Sequence, residues 1–407
     1  MSRRFQKRSL VAHLRSATWV ILTVSCATFL LHHFGWLNSL ETSSLDFLVR
    51  LREPVKPKYV WLVAITDNDY AKLFGKTSPL DSAQLRNLIA AVANLKPRAI
   101  GVDIDTSDSR GVRPDTDVPI IWGQRMTPSE NPDERKTFPV LGNEQPQPST
   151  SALGVSALPA DADGSVRRYR RKILVGNIYV DSLPWAVTKA FCRETIVGSS
   201  ASALKMQCQK ILSSEAINKY QRPLLLNFSE PPHTEAHILS ASDLLRMSSA
   251  EGWQSNPTFR DGIVMVGGIF VLSGDVSYKT PVSTRAGVQL FSDAIETELQ
   301  GRPITPLNEL LMVMFEIVGG YLLAAWHFVS KNWSAVVFRV AAVPVLAIAS
   351  SLLAFSSLAY WASFVPVLVG VLLHEMYQHF SRYRTLIKRA REMDIAVRRL
   401  QKQRRHR

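Results

Sequence analysis

Two stretches decide the fold. Residues 60–65 read VWLVAI and run into Thr66-Asp67; residues 99–104 read AIGVDI, with Asp103 and then Asp105 at the far end. Each is a short, almost uninterrupted apolar run rich in β-branched residues, the pattern of a strand buried on both faces. Between them, Ser82–Leu95 sets Leu85, Leu88, Ile89 and Val92 at helical spacing. Asp81 or Ser82 can cap its start, and Pro97 follows its end. Strand, helix, strand at this length predicts a right-handed βαβ unit with parallel strands. A third run, Gly262–Val266, ends at Gly267-Gly268. Further helices are predicted at Trp185–Cys192 and at Gly287–Leu299, where Val288, Phe291, Ile295 and Leu299 repeat. The fold class is therefore α/β with a parallel core. Arg110–Thr150, rich in Pro, Asp, Asn and Gln, reads as a long irregular excursion.

Outward from this core the chain turns apolar. Four transmembrane helices are expected, one before the α/β domain and three after it, at 17–34, 307–328, 336–358 and 360–377, around a domain at 35–306. The first reads as an uncleaved signal anchor, with a cleaved signal peptide ending near Ser25-Cys26-Ala27 as the rival. The net charge of +14 belongs to the ends: residues 41–306 hold 30 Lys and Arg against 29 Asp and Glu. The excess of basic residues lies in 1–16 and in the tail 378–407, so it signals topology. Both termini are expected in the cytoplasm and the domain outside, in the periplasm or extracellular space of a multi-pass protein of a bacterial inner membrane. Nucleic acid is not an expected partner; anionic lipid is. In the tail, Leu386, Ala390, Met393, Val397 and Leu400 repeat at four, three, four, three. That seam reads equally as a homodimer contact or as a lipid-associated helix.

Several groups are chemical candidates. Asp67, Asp103 and Asp275, with Gly267 and Gly268, fall at or just beyond strand C-termini, the edge where parallel sheets bind ligands. The same residue types also begin turns and cap helices, the reading preferred for Asp69 and Asp105. Asp103-Ile104-Asp105-Thr106 also resembles the nucleophile loop of haloacid-dehalogenase-like phosphatases, a chemistry that needs a later Lys and acidic pair. Together these carboxylates could hold Mg²⁺ or Ca²⁺ through oxygen, and no cofactor is expected. His233 and His237, four apart, follow a proline-bearing loop. Arg167, Arg168, Arg170, Arg171 and Lys172 form a basic run that alternation would place partly on a solvated face. Cys192 and Cys208 are a disulfide candidate if the domain is extracytoplasmic, with two buried thiols as the alternative. Glu316, within the second span, is free to be protonated or to pair with Arg339 of the third.

Taken in order, these pieces resemble the CHASE2 family of extracytoplasmic sensor domains over about residues 45–311. Asp46-Phe47-Leu48-Val49-Arg50 is similar to its opening D-x-x-x-R segment, and Val63–Asp67 and Ala99–Asp103 to its first two strands. Asp163-Gly164-Ser165-Val166-Arg167-Arg168 resembles its D-G-x-x-R-R turn, followed by Ser182–Ala186. Ile263–Gly268, Asp275, Thr280-Pro281 and Gly287-Val288 resemble its closing segments. Where the family commonly has a Trp-Pro-Trp-Pro-Arg-like turn, this chain has Thr77-Ser78-Pro79-Leu80-Asp81. The resemblance implies a membrane-anchored sensor or signalling component. With about 26 residues after Ser381, no output enzyme is expected in the chain, so it would act through a protein partner carrying the output. The alternatives are a structural subunit of an envelope complex and a periplasmic metal-dependent phosphohydrolase acting at the Asp edge.

Overall fold

The computed structural model describes residues 3–405 apart from 53, 128, 130, 142–150, 199–200, 218–222, 229–236, 249–256, 275–276, 302 and 330–332. The first half of the chain forms α1 (Arg3–His33), α2 (Asn38–Leu51), β1 (Val60–Ile65), α3 (Asp67–Lys72), α4 (Ser82–Asn94), β2 (Ala99–Asp103), β3 (Ile120–Gln124), β4 (Ser151–Val155), β5 (Arg168–Tyr169), β6 (Lys172–Val175), β7 (Ile178–Asp181) and α5 (Leu183–Gly198). Then follow α6 (Ser202–Ile217), β8 (Leu224–Leu225), β9 (Ile238–Ser240), α7 (Ala241–Ser248), α8 (Pro257–Arg260), β10 (Ile263–Gly268), β11 (Tyr278–Lys279), β12 (Thr284–Arg285), α9 (Gly287–Leu299), α10 (Glu309–Val329), α11 (Trp333–Leu358) and α12 (Val365–Arg405). These elements divide into two compact units, residues 49–305 and residues 1–48 with 306–407.

The first unit is built on a six-stranded sheet in the order β4-β3-β2-β10-β1-β9, every pair parallel. The α/β class read from the sequence is the class observed. Side chains alternate across the strands, so each strand feeds two cores. Val63, Ile65, Ile100, Val102, Trp122 and Val266 face α4 and α7, where Leu85, Leu88, Ile89, Val92 and Leu244 meet them. Leu62, Ala64, Ile121 and Met265 face the other way, against Trp185, Val187 and Phe191 of α5 and Val288, Phe291 and Ile295 of α9. Burial on both faces is why these strands lack a polar alternation. Helix α4 starts where its Asp81 cap accepts from the Gln84 amide at 2.8 Å. Cys192 of α5 and Cys208 of α6 are both buried and are bonded to each other across the two helices, their Cα atoms 4.9 Å apart.

One expectation is corrected here. The excursion at 110–150 is not irregular throughout: Ile120-Ile121-Trp122 is buried inside β3, between β2 and β4. Three apolar residues after Pro119 are too few to announce a strand, and the neighbouring strands supply the missing stabilisation.

The second unit is helical. Helix α1 runs unbroken from Arg3 to His33; the chain then turns at Gly35, whose φ of 75° only glycine adopts freely, and α2 leaves at 84°. Helix α10 packs on α1 and α12, and α11 packs on α12. Ala17 and Ile21 of α1 lock against Ala324 of α10, and the Tyr321 hydroxyl donates to Thr18 Oγ1 at 3.2 Å. The outward faces are apolar: Leu310, Met314, Phe315, Val318 and Leu322 of α10 and Val345, Leu346 and Leu353 of α11 are all exposed.

Where four spans were expected, two helices among the described residues, at Glu309–Trp326 and Ala341–Leu358, are long and apolar enough to cross a membrane. The bent pair Ala17–His33 and Asn38–Leu51 makes a third if it counts as one span. The apolar part of α12, Val365–Tyr377, is shorter than a full crossing and already contains His374 and Glu375.

Candidate ligand cleft and the acidic face of α9

The C-terminal ends of β2, β3 and β10 open onto a cleft of about 730 Å³. Asp103 ends β2 and Asp105 follows it; Arg125 follows β3; Ser156 follows β4; Gly268 ends β10. Thr77, Ser78 and Pro79, in the turn where the sequence departs from the CHASE2-like pattern, supply another wall. Tyr70 and Phe270 stack nearly parallel beside it, ring centroids 4.4 Å apart.

The polar groups here are unevenly satisfied. Arg125 Nη1 donates to Asp105 Oδ2 at 3.3 Å, and the Ser107 amide donates to Asp105 Oδ1 at 3.0 Å. Burial pushes the Asp105 carboxyl up, but the donors at Ser107 and Arg125 outweigh it and hold it below the usual carboxylate range. Ser156 differs. Its Oγ is buried at the cleft wall and has no hydrogen-bond partner. Gly123 leaves room for it, since a Cβ there would come within 2.5 Å of that oxygen. An unsatisfied buried hydroxyl beside a polar cleft is a group waiting for a ligand atom or water.

The sequence candidates separate on inspection. Asp103 and Gly268 line the cleft. Asp67 is turned to the backbone, its Oδ1 accepting from the Val271 amide at 3.0 Å and so tying down the loop after β10. Gly267 is a packing residue, because a Cβ would meet Val288 at 2.6 Å, where α9 starts. Asp275 lies outside the described residues. Asp69 caps α3, accepting from Thr66 and, at 3.1 Å, from the Ser242 amide. Burial opposes its charge, and those bonds still hold its carboxyl below the ordinary value. His233 is outside the described residues, while His237 stacks on Trp61 at 4.3 Å, and burial lowers its pKa. Among the described residues no three His, Cys, Asp or Glu side chains converge as a metal-holding group.

A second acidic region was missed by sequence reasoning. Helix α9 carries Asp293, Glu296 and Glu298, each at most 3 % exposed. Asp293 pairs with Arg285 at 2.5 Å. Glu296 Oε1 accepts from three successive amides, Lys58, Tyr59 and Val60, at 2.8, 2.5 and 2.8 Å, and so fixes the start of β1. Glu298 takes a two-pronged contact from Arg171, at 2.6 and 2.7 Å, and the Tyr169 hydroxyl also donates to it. Burial pushes the Glu298 carboxyl up, to about 8. Every group facing it is a donor, and those donors favour the carboxylate. The available signal was three carboxylates within six residues of an otherwise apolar helix.

The basic run divides between buried and exposed residues. Arg167 and Arg171 are buried, not solvated, while Arg170 is exposed. Arg171 lies over the Trp185 ring, and Arg167 pairs with Asp161 at 3.0 Å and Asp163 at 2.7 Å. The Arg167 guanidinium holds the Asp163 carboxyl far below the usual range. Asp163 also accepts from the Ser165 amide, and Gly164 between them has a φ of 74°, so this turn needs its glycine. Arg50 Nε donates to the Pro281 carbonyl at 2.8 Å, and the Thr280 hydroxyl donates to the Ser283 carbonyl. Thus Arg50, Asp163, Gly164, Arg167, Thr280 and Pro281, which carried the resemblance, form a polar scaffold on the α9 side of the unit.

A family model for the CHASE2 domain matches residues 20–328. The chain belongs to the CHASE2 family. No curated protein and no solved structure matches it. CHASE2 is a family of extracytoplasmic sensory domains, which gives the chain a sensory role at the coarse level. In this CHASE2 protein the matched segment takes in the whole six-stranded sheet and helix α10.

Proposed function

We propose that this chain is a membrane-anchored CHASE2 sensor that binds a small polar ligand in the cleft at the strand C-termini and signals through a protein partner. The observation that carries the reading is the cleft itself. Acidic, basic and hydroxyl groups from three separate strand ends converge there, and one buried hydroxyl has no partner. A ligand with both a cationic and an anionic or hydroxyl group would match Asp103, Asp105, Arg125 and Ser156 together. Membrane anchoring draws support from the two apolar helices and from the basic ends of the sequence. We place the α/β unit outside, both termini in the cytoplasm, and α1 and α12 across the bacterial inner membrane as the first and fourth spans. Relay through α12 is supported by its form. It runs without a break from Val365 to Arg405, and Leu386, Ala390 and Met393 of its seam are exposed. That seam would meet a partner, a second copy or anionic lipid.

The test is a thermal-shift screen of the full chain in lipid nanodiscs against amino acids, polyols and small dicarboxylates. A saturable rise in melting temperature with one class is expected. No shift with any class would sink the sensor reading and favour a scaffold subunit. Asp103 and Asp105 share the cleft, so the screen is paired with a phosphatase assay. Metal-dependent turnover abolished by Asp103→Asn would replace binding with catalysis.

A further inference from the structure

A second cavity, of about 560 Å³, lies within the helical unit. It fills the gap between α10 and α11, with α1 and α12 behind it, and its lining is almost wholly apolar. One carboxylate interrupts that lining. Glu316 of α10 accepts at Oε1 from the Thr28 hydroxyl of α1 at 2.5 Å. Gly370 of α12 makes room for it, because a Cβ at that position would lie 2.7 Å from the same oxygen. Thr28 and Gly370 therefore hold the carboxylate in place from two different helices. Arg339, the partner expected for Glu316 from sequence, has a side chain outside the described residues.

The rest of the described polar lining is made of Ser25, Trp326, Ser350 and His374. Ser350 spends its hydroxyl hydrogen on the Ala347 carbonyl of its own helix, 3.0 Å away, which leaves its lone pairs for the cavity. His374, one turn beyond Gly370, lines the cavity with an imidazole that carries one donor and one acceptor nitrogen when neutral and already has a partner of its own. Among the described residues Glu316 is the one carboxyl group in this lining, in a setting where water is scarce. An ammonium group offers three donors and no acceptor, and its attraction to a carboxylate grows as the surroundings become less polar. A carboxylate or phosphate head would meet repulsion there.

We infer that this cavity binds a membrane-dissolved amine, an ammonium head on an apolar body, with Glu316 as its counter-ion. The inference rests on the membrane reading of these helices and is independent of the outer cleft. Failure of the membrane reading would show separately, as release of the chain from vesicles by alkaline carbonate.

The experiment uses the full chain in phosphatidylcholine nanodiscs, which carry no primary amine, and follows equilibrium binding of radiolabelled dodecylamine, dodecanol and dodecanoate. Saturable amine binding is expected, with dodecanoate at least about tenfold weaker. Glu316→Gln should weaken the amine by about tenfold or more and leave dodecanol unchanged. Should that variant fail to fold, Ser350→Leu, which fills the cavity without touching Glu316, should also abolish saturable binding. Equal binding of all three amphiphiles, or amine binding indifferent to both substitutions, would overturn the proposal. The cavity would then be occupied by lipid chains or by a partner's transmembrane helix.

Discussion

The α/β unit holds two groups of carboxylates whose surroundings differ. Asp293, Glu296 and Glu298 on α9 are buried, and each meets fixed donors: Arg285 eight residues before it for Asp293, and the distant amides of Lys58 to Val60 and Arg171 with Tyr169 for the two glutamates. Asp103 and Asp105, at the far end of β2, face a cleft of about 730 Å³, with Arg125 64 % exposed beside them and Ser156 unpartnered. Buried charge with every lone pair answered fixes one conformation, and loss of one partner is costly. The solvent-exposed Arg125–Asp105 pair contributes little to stability, and the unpartnered Ser156 hydroxyl beside it can take a ligand atom. The two neighbourhoods should therefore respond oppositely to mutation.

The largest effect should follow Glu298→Ala, which strands the Arg171 guanidinium in the core. We expect a loss of about 3–5 kcal/mol in unfolding free energy, measured by denaturant titration. Next comes the bridge on the same face of the sheet: replacing Cys192 and Cys208 by Ala should cost about 2–4 kcal/mol and remove a two-hydrogen mass change on reduction. An unchanged mass on reduction would mean that the thiols are free.

A smaller effect is pH-dependent. Asp163 has a depressed pKa, so its pairing with Arg167 adds stability above the unfolded value of 3.8 and loses it as pH falls through and below that value. The melting temperature of Asp163→Asn should therefore differ from the wild type at neutral pH, and the gap should begin to narrow only as pH falls below about 4, closing well below the ordinary carboxylate range. Smallest of all, Asp105→Asn should leave stability within about 0.5 kcal/mol, since its amide oxygen can still accept from Ser107. Ligand binding should nevertheless drop. A large destabilisation by Asp105→Asn would erase the contrast between the two regions.

The parts that were legible in the sequence share a local cause. β1, β2, β10 and α4 are long apolar runs with their own stop signals, so the βαβ core and the strand edge that carries the cleft could be read directly. β3 and β4 were not, because Ile120-Ile121-Trp122 and Ser151–Val155 are short and owe their strand state to pairing with neighbours. Arg125 and Ser156 lie just after those two strands and were hidden with them, whereas Asp103 and Gly268 follow visible strands. Asp67 was visible too, but its carboxylate serves the Val271 amide. The buried carboxylates of α9 could not be read, because Glu296 needs residues 58–60 and Glu298 needs Arg171, both far away in the chain. Sequence periodicity reports which side chains are apolar, and it is silent on which polar ones find each other.

The contrast can be measured directly by amide hydrogen exchange on the full chain in nanodiscs, with and without the ligand class that raises the melting temperature. The account predicts ligand-induced protection at residues 103–107, 123–125 and 268–274, and none across 293–298. Protection centred on α9, or no change at the strand C-termini, would contradict it.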